Sequence, residues 1–430
     1  MTLVEDFDPL SKQVKTDQHE WFARLRADCP VHHHTMPESE LKRQSENYIV
    51  ASPTAEFWSV FGYKDVHQIL HDAPGFSHLE GPGPDRMAQL SPDGMLLTAD
   101  DPAHRRQRRI ASKAFLPRTV AQRIPVIRRT VDELIDGFSE RGQCDLMRDF
   151  AFPLTVTMLI DFMGVGQDRK DDITRWGAAA IAILGGDEEQ LAAGTQATLE
   201  FFAFMQECIE NRRTELEAGE NAVDDVLTAM LTAYDEETGT RFSDVEILQA
   251  MHQFYTAGYE TTATAIGNGI YRLCTNPGER RKLQADWSFI DTACEEILRY
   301  DSPVEGTFRT AACPQLISGV EIPAGAKTRI VFASANRDGA AFDRPDEFRI
   351  DRPIKELRGH LAFGAGPHTC LGSALGRAEI KEAIQGLLTR LPDLDLDPSA
   401  PPTRSTALTV CGFTTTPVRW NPANATRRLG

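Results

Sequence analysis

No Cys-x-x-Cys pair occurs in this chain of 430 residues; its eight cysteines stand apart at 29, 144, 208, 274, 294, 313, 370 and 411. Zinc and iron–sulfur centres need clustered thiolates, so the scatter argues against them. The missing Cys-x-x-Cys-His excludes covalently attached c-type haem. Basic residues are scarce as well: 46 Lys and Arg face 63 Asp and Glu, a net charge of −17. That balance argues against broad binding to nucleic acid or to an anionic membrane. No apolar run approaches the roughly 18 residues of a membrane span. The opening Met1-Thr-Leu-Val-Glu-Asp-Phe-Asp has neither the basic nor the apolar segment of a secretory signal. Repeats and low-complexity linkers are lacking. The expectation is a cytoplasmic protein in which residues 1–430 form a single domain, without nucleic-acid or membrane partners.

What is present reads as mainly α with a smaller β region. The β-rich N-terminal portion falls at about 45–62, where Tyr48-Ile-Val-Ala and Phe57-Trp-Ser-Val-Phe read as two paired strands. His32-His33-His34 reads as a solvated loop, because adjacent residues rarely converge on one ion. A short helix is expected from Tyr63 to Leu70, then a long loop from Ser77 to Thr98, rich in Gly, Pro and Asp, of the kind that is usually functional. Asp101-Pro102 opens a helix with an acid at the cap and proline in the first turn. The helical body covers about 100–300 and 370–391, with long stretches from Asp244 to about Cys274 and from Phe289 to Tyr300. Short strands run through Ile317 to Val331, the last helix starts at Cys370, and Ala407 to Trp420 reads as a hairpin.

Four constellations carry chemistry. Cys370 lies in His360-Leu-Ala-Phe-Gly-Ala-Gly-Pro-His-Thr-Cys-Leu-Gly372, a glycine-rich loop entering a helix. Unpaired N–H groups at a helix start favour a thiolate. Such a sulfur serves equally as a nucleophile, a metal ligand, an axial haem ligand or a plain buried thiol. The loop lacks the Gly-Lys-Ser/Thr ending of a phosphate cradle. The second constellation is Ala257-Gly-Tyr-Glu-Thr-Thr262, inside the long helix. Gly258 costs a helix roughly 1 kcal/mol relative to alanine, and threonine hydroxyls there bond back and open the ladder. Glu260 beside Thr261 then places a carboxyl and a hydroxyl at the opening. The third is Glu296-Ile-Leu-Arg299, an acid and a base meeting on one helix face. The fourth is His104-Arg-Arg-Gln-Arg108-Arg109, where His104 and Arg108 share a face and jointly suit an anion.

In order and spacing these four resemble the cytochromes P450, the haem-thiolate monooxygenases, of the soluble bacterial type. Phe363-Gly-Ala-Gly-Pro-His-Thr-Cys-Leu-Gly372 is similar to the family's haem-binding signature, Ala257 to Thr262 to its oxygen-activation motif, and Glu296 with Arg299 to its buried Glu-x-x-Arg pair. Asn336-Arg-Asp, Pro345-Asp-Glu-Phe348 and Arg352 look like the meander that follows, with Arg352 as third member of the charge network. The resemblance implies the cytochrome P450 fold, a triangular helical prism around haem.

It also implies the site. Cys370 is the axial iron ligand of haem b (iron protoporphyrin IX), with Phe363, Gly364, Gly372, Ala257 and Gly258 against the macrocycle. His104, Arg108, Arg309 and His368 hold the propionates, and Glu260 and Thr261 deliver protons during O2 activation. Met95, Leu96, Leu97, Val304 and Phe413 are candidate pocket walls, as are Met87 and Ile183, and Glu305 is a candidate for meeting a polar substrate group. The implied reaction inserts one atom of O2 into a hydrophobic substrate such as a terpenoid, steroid or fatty acyl compound. Electrons come from NAD(P)H through a reductase and a separate ferredoxin or flavodoxin, docked on Arg105, Arg106, Arg109 and Lys113 of a monomer. The rival readings are a peroxygenase using hydrogen peroxide, which would replace the Glu260–Thr261 pair, and a non-catalytic haem sensor.

Overall fold

A computed structural model describes residues 7–9, 11–41, 50–87, 91–182, 188–219, 224–405 and 407–426. In chain order the main elements are helix α1 (Gln18–Asp28), strands β1 (Val31–Thr35) and β2 (Glu56–Val60), helix α2 (Tyr63–His71) and strand β3 (Phe76–Ser77). Helices α3 (Ala103–Ala111), α4 (Pro117–Asp136), α5 (Phe152–Met163), α6 (Lys170–Ala182), α7 (Glu188–Glu217), α8 (Asp244–Thr275) and α9 (Ile290–Tyr300) follow. Strands β4 (Thr307–Ala311) and β5 (Lys327–Ile330) and helix α10 (Ser373–Arg390) complete the frame. Among the described residues no helix is long and apolar enough to cross a membrane.

Contacts divide the chain into two compact units. The first comprises Met1–Arg105, Glu295–Cys370 and Arg404–Gly412. Its centre is a five-stranded sheet in the order β1-β2-β5-β4-β3. Strand β4 alternates in register. Phe308 packs with Met36 and Phe57, so Arg309, the next residue, projects to the opposite face. A core of Val31, Trp58, Val60, Val66, Ile69 and Phe76 joins the sheet to α2.

The second unit comprises Arg106–Cys294, Leu371–Thr403 and Phe413–Gly430. Its axis is α8, which starts at a capping box: Ser243 Oγ accepts from Glu246 N at 3.3 Å, and Glu246 Oε2 accepts from Ser243 N at 2.8 Å. From Ala263 to Ile270 every residue of α8 is buried, the pattern of a helix wrapped by others on all sides. Its neighbours include α5 and α10.

Several local expectations change. His32 to His34 form part of β1, paired with β2, and His34 is buried with Nε2 2.9 Å from Ser59 Oγ; strand pairing with residues 25 positions away overrides the polar local sequence. Val50–Ser52 pairs with Arg86–Met87, and β2 pairs with β1 and β5 instead; Tyr48 and Ile49 lie outside the described residues. Pro417–Arg419 pairs with Asp395–Leu396 and Gln143–Asp145 rather than closing a hairpin on Phe413–Thr415. The last helix begins at Ser373, so Cys370 sits in the loop ahead of it.

Candidate active site

Three turns of backbone present Cys370. Gly364 and Gly366 have φ of 67° and 70°, the left-handed region that glycine enters without strain. A Cβ on Gly366 would stand 2.3 Å from the carbonyl oxygen of Leu70, at the end of α2, so only glycine lets the loop approach. Gly364 N donates to Leu361 O at 2.9 Å, Thr369 N to Gly366 O at 3.1 Å, and Cys370 N to Phe363 O at 2.9 Å. Asn336 Oδ1 accepts from Leu361 N at 2.6 Å, and His360 Nε2 lies 2.9 Å from Glu295 Oε2. The sulfur is thus fixed by its backbone while Cys370 remains exposed. This suits a ligand or nucleophile better than a structural thiol.

Beside this loop the first unit gathers cationic and imidazole groups. Arg309 is buried at 5% exposure. Its Nη1 donates to Phe308 O at 2.7 Å and Thr307 Oγ1 at 3.4 Å, both neutral, and it has no ion-pair partner among the described residues. Burial pulls its guanidinium down to about 10. His104 and His368 stack at 3.7 Å between ring centroids, and His78 stacks on the other face of His368 at 3.5 Å. Asp100 receives His78 N at 2.8 Å, His78 Nδ1 at 3.2 Å and Ser77 Oγ at 2.5 Å. Burial disfavours the Asp100 carboxylate, but the hydrogen bonds from His78 and Ser77 outweigh it and hold its carboxyl below the usual range. Burial lowers His78 to about 4, against the pull of Asp100. His78 and Asp100 were not anticipated from sequence; only the pairing of β3 with β4, Ser77 against Thr310, brings them to Arg309.

In the second unit α8 runs without a break through the Ala257–Thr262 stretch, where an opening was expected. Thr261 Oγ1 donates to Ala257 O at 2.7 Å, and Thr155 Oγ1 of α5 donates to Tyr259 O at 3.2 Å. A Cβ on Gly258 would meet Leu159 Cδ2 at 2.7 Å, so glycine sets the spacing of α5 and α8. Glu260 is half-buried without a hydrogen bond or ion pair among the described residues, and burial raises its carboxyl to about 7. A carboxyl poised there exchanges protons at neutral pH.

Glu296, Arg299 and Arg352 form one closed network. Arg299 Nε and Nη2 reach Glu296 at 2.7 and 2.9 Å, and Arg352 Nε reaches it at 3.0 Å. Carbonyl oxygens of Asn336, Pro345 and Glu347 take the remaining Arg299 donors.

The other sequence candidates are spread. Arg108 is half-buried one turn beyond His104, and Gly372 immediately precedes α10. Met95 and Leu96 are buried, Leu97 is exposed, Val304 packs on the first unit's core, and Phe413 lies 4.5 Å from Tyr271 between ring centroids. Met87 is half-buried, and Ile183 lies outside the described residues. Two expectations are corrected. Glu305 is buried and bound by Lys15 at 2.6 Å and by Arg329, so it is unavailable to a substrate. The basic patch is already neutralised: Arg109 forks onto buried Asp235 at 2.6 and 2.9 Å, Arg106 pairs with Glu246, Lys113 with Glu236 and Arg105 with Asp101. Acidic residues distant in sequence supply the partners of Arg106, Arg109 and Lys113, while Asp101, four positions back, supplies that of Arg105.

A haem with two carboxylates fits these residues. Arg309 is a buried cation with no carboxylate bonded to it among the described residues, Asp100 acting on it only at a distance. His78 lies near it, and the loop stacked on His78 through His368 offers a backbone-fixed thiol. Comparison with known proteins agrees. The family described as Cytochrome P450 matches residues 187–419. The chain is 38% identical over 349 residues to "Cytochrome P450 107B1" of Saccharopolyspora erythraea, covering 78% of this chain and 82% of that protein. It is 31% identical over 399 residues to the "Vitamin D(3) 25-hydroxylase" of Pseudonocardia autotrophica, covering 92% and 91%. The solved structure of cytochrome P450 CYP109Q5 from Chondromyces apiculatus superposes with a TM-score of 0.83 at 30% identity, over 99% of this chain and 100% of that one. The fold is therefore that of the haem-dependent monooxygenases, and the chain belongs to the cytochrome P450 family.

Proposed function

We propose that this P450 inserts one atom of O2 into a hydrophobic small molecule, with Cys370 as the thiolate that would hold haem b and electrons from NAD(P)H by way of a reductase and a separate ferredoxin or flavodoxin. Support comes above all from the exposed, backbone-fixed Cys370 in the loop whose His368 stacks on His78, next to the buried Arg309 that bonds no carboxylate among the described residues. When bound, the haem iron with its thiolate supplies the O–O cleavage and C–H oxidation.

The chain's own residues bind, orient and move protons. Arg309, Arg108, His104 and His368 would hold the two carboxylates of the haem, and Phe363, Gly364, Gly372, Ala257 and Gly258 would line its ring. Glu260 carries a proton on its carboxyl oxygen at neutral pH and passes it to Thr261 Oγ1, whose hydroxyl is held by Ala257 O. Glu296, Arg299 and Arg352 keep the loop before Cys370 rigid. Val304, Phe413, Met95, Leu96 and Leu97 are the proposed pocket walls. A relative named for vitamin D(3) hydroxylation supports a steroid-like or other extended apolar substrate.

The test is a spectral screen of terpenoids, steroids and fatty acids against the purified protein, followed by turnover with a surrogate ferredoxin and reductase. The expected result is a substrate-dependent spin-state change and an oxygenated product from the same compounds. Absence of both across all classes, with haem bound, would point to the non-catalytic sensor instead.

A further inference from the structure

One buried imidazole has no part in that reading. His78 leaves β3 at 6% exposure, and its ring lies face to face with His368 at an interplanar angle of 13°. His368 stacks on His104 at 16° in turn, so three imidazoles form a column. The charges acting on His78 are Asp100, Arg309 and His104. Imidazoles stacked beside a buried guanidinium are costly core material, since each polar ring needs hydrogen-bond partners when withdrawn from water.

Asp100 fixes the orientation of the ring. Its carboxylate accepts from both the backbone N–H and Nδ1 of His78, and it is held in place by Ser77 Oγ. A carboxylate cannot donate, so the Nδ1 side carries a proton toward Asp100 and Nε2 is turned away from it. Among the described residues the ring makes no further hydrogen bond. The geometry therefore resembles an acid-backed histidine, with one nitrogen anchored and the other offered to a ligand. The ligand chemistry compatible with an adjacent buried arginine is a carboxylate.

We infer that His78 is a further carboxylate-holding residue of the haem site, donating from Nε2 to the propionate end that Arg309, His104 and His368 serve, with Asp100 as its positioning residue. The inference rests on the haem reading above. Without a ligand the ring is neutral, because burial, Arg309 and His104 outweigh Asp100. A carboxylate arriving at Nε2 adds a second flanking anion, and the ring takes up the proton it then donates as that carboxylate binds. The proton comes from solvent and forms the Nε2–H bond; no other covalent bond forms or breaks.

The test is haem release from the holoenzyme to excess apomyoglobin, for wild type, His78→Phe and His78→Gln, each loaded with iron protoporphyrin IX or with its dimethyl ester. Phenylalanine keeps a stacking face without a donor, whereas glutamine restores a donor close to Nε2. His78→Phe is expected to release haem roughly tenfold faster, the value of one charge-assisted hydrogen bond, and His78→Gln to recover most of that loss. With the dimethyl ester the difference between wild type and His78→Phe is expected to vanish. A phenylalanine variant that retains haem as long as wild type, or a difference that persists with the ester, would overturn the role of His78. Reduced carbonyl spectra of the same samples separate the two claims. An intact thiolate band with unchanged release removes only His78, whereas a missing thiolate band in wild type removes the haem-thiolate reading itself.

Discussion

Arg299 and Arg309 are both buried arginines of the first unit, yet they are satisfied in opposite ways. Arg299 shares Glu296 with Arg352, and backbone carbonyls take its remaining donors. Arg309 bonds two neutral oxygens and no carboxylate among the described residues, with Asp100 acting on it only at a distance. Removing any member of the first cluster strands buried charge. The second cluster holds a cation whose one acting carboxylate, Asp100, is bonded to His78 and Ser77 instead, which leaves Arg309 open to an anion from outside the chain. The difference separates a scaffold from a binding site without reference to any family. Glu260 in the second unit belongs with Arg309: a desolvated ionisable group that folding alone leaves unpaired.

The largest effect is expected where the scaffold is broken. Glu296→Ala leaves Arg299 buried without its acid and Arg352 with only Glu356, costing about 3–5 kcal/mol; urea unfolding of the holoprotein is expected to show that loss, or no folded protein to be recovered. Next comes Glu260→Gln. Glu260 is protonated below about 7 and loses its proton above it, so wild-type turnover is expected to decline as pH rises through that value. The variant is expected to lack this decline and to turn over roughly 10²-fold more slowly, as read by initial rates across pH with a surrogate ferredoxin. Arg309→Met separates stability from binding. The apoprotein is expected to gain about 1–3 kcal/mol, because an unpaired buried charge is removed, while haem release accelerates. A loss of apoprotein stability would place Arg309 with the scaffold. The smallest effect is expected at Arg105, an exposed group paired with Asp101. Arg105→Gln is expected to change stability by less than about 0.5 kcal/mol in thermal melts.

Local features of the sequence were legible wherever the physics was local. The helix from Asp244 to about Cys274 follows from its helical periodicity; the opening expected from glycine and threonine near Ala257–Thr262 does not appear, and Thr261 Oγ1 bonds back to Ala257 O inside a continuous helix. The Phe363–Gly372 loop was legible from glycine spacing, although the helix starts three residues later than Cys370. Groups whose roles depend on distant partners were not legible. Glu305 looked available because Lys15 and Arg329 come from other strands and helices. Arg109 looked free because Asp235 lies in a separate turn. His78 gave no periodic signal at all; it acquires meaning only through the β3–β4 pairing and the stack on His368.

The most direct measurement is the carbon monoxide spectrum of the reduced protein, taken on wild type and on Cys370→Ser. An iron bound through the Cys370 sulfur predicts the strongly red-shifted Soret band of a thiolate-ligated carbonyl haem, abolished by the serine substitution. A band at the imidazole-ligated position in wild type, or a thiolate band that survives Cys370→Ser, would contradict it.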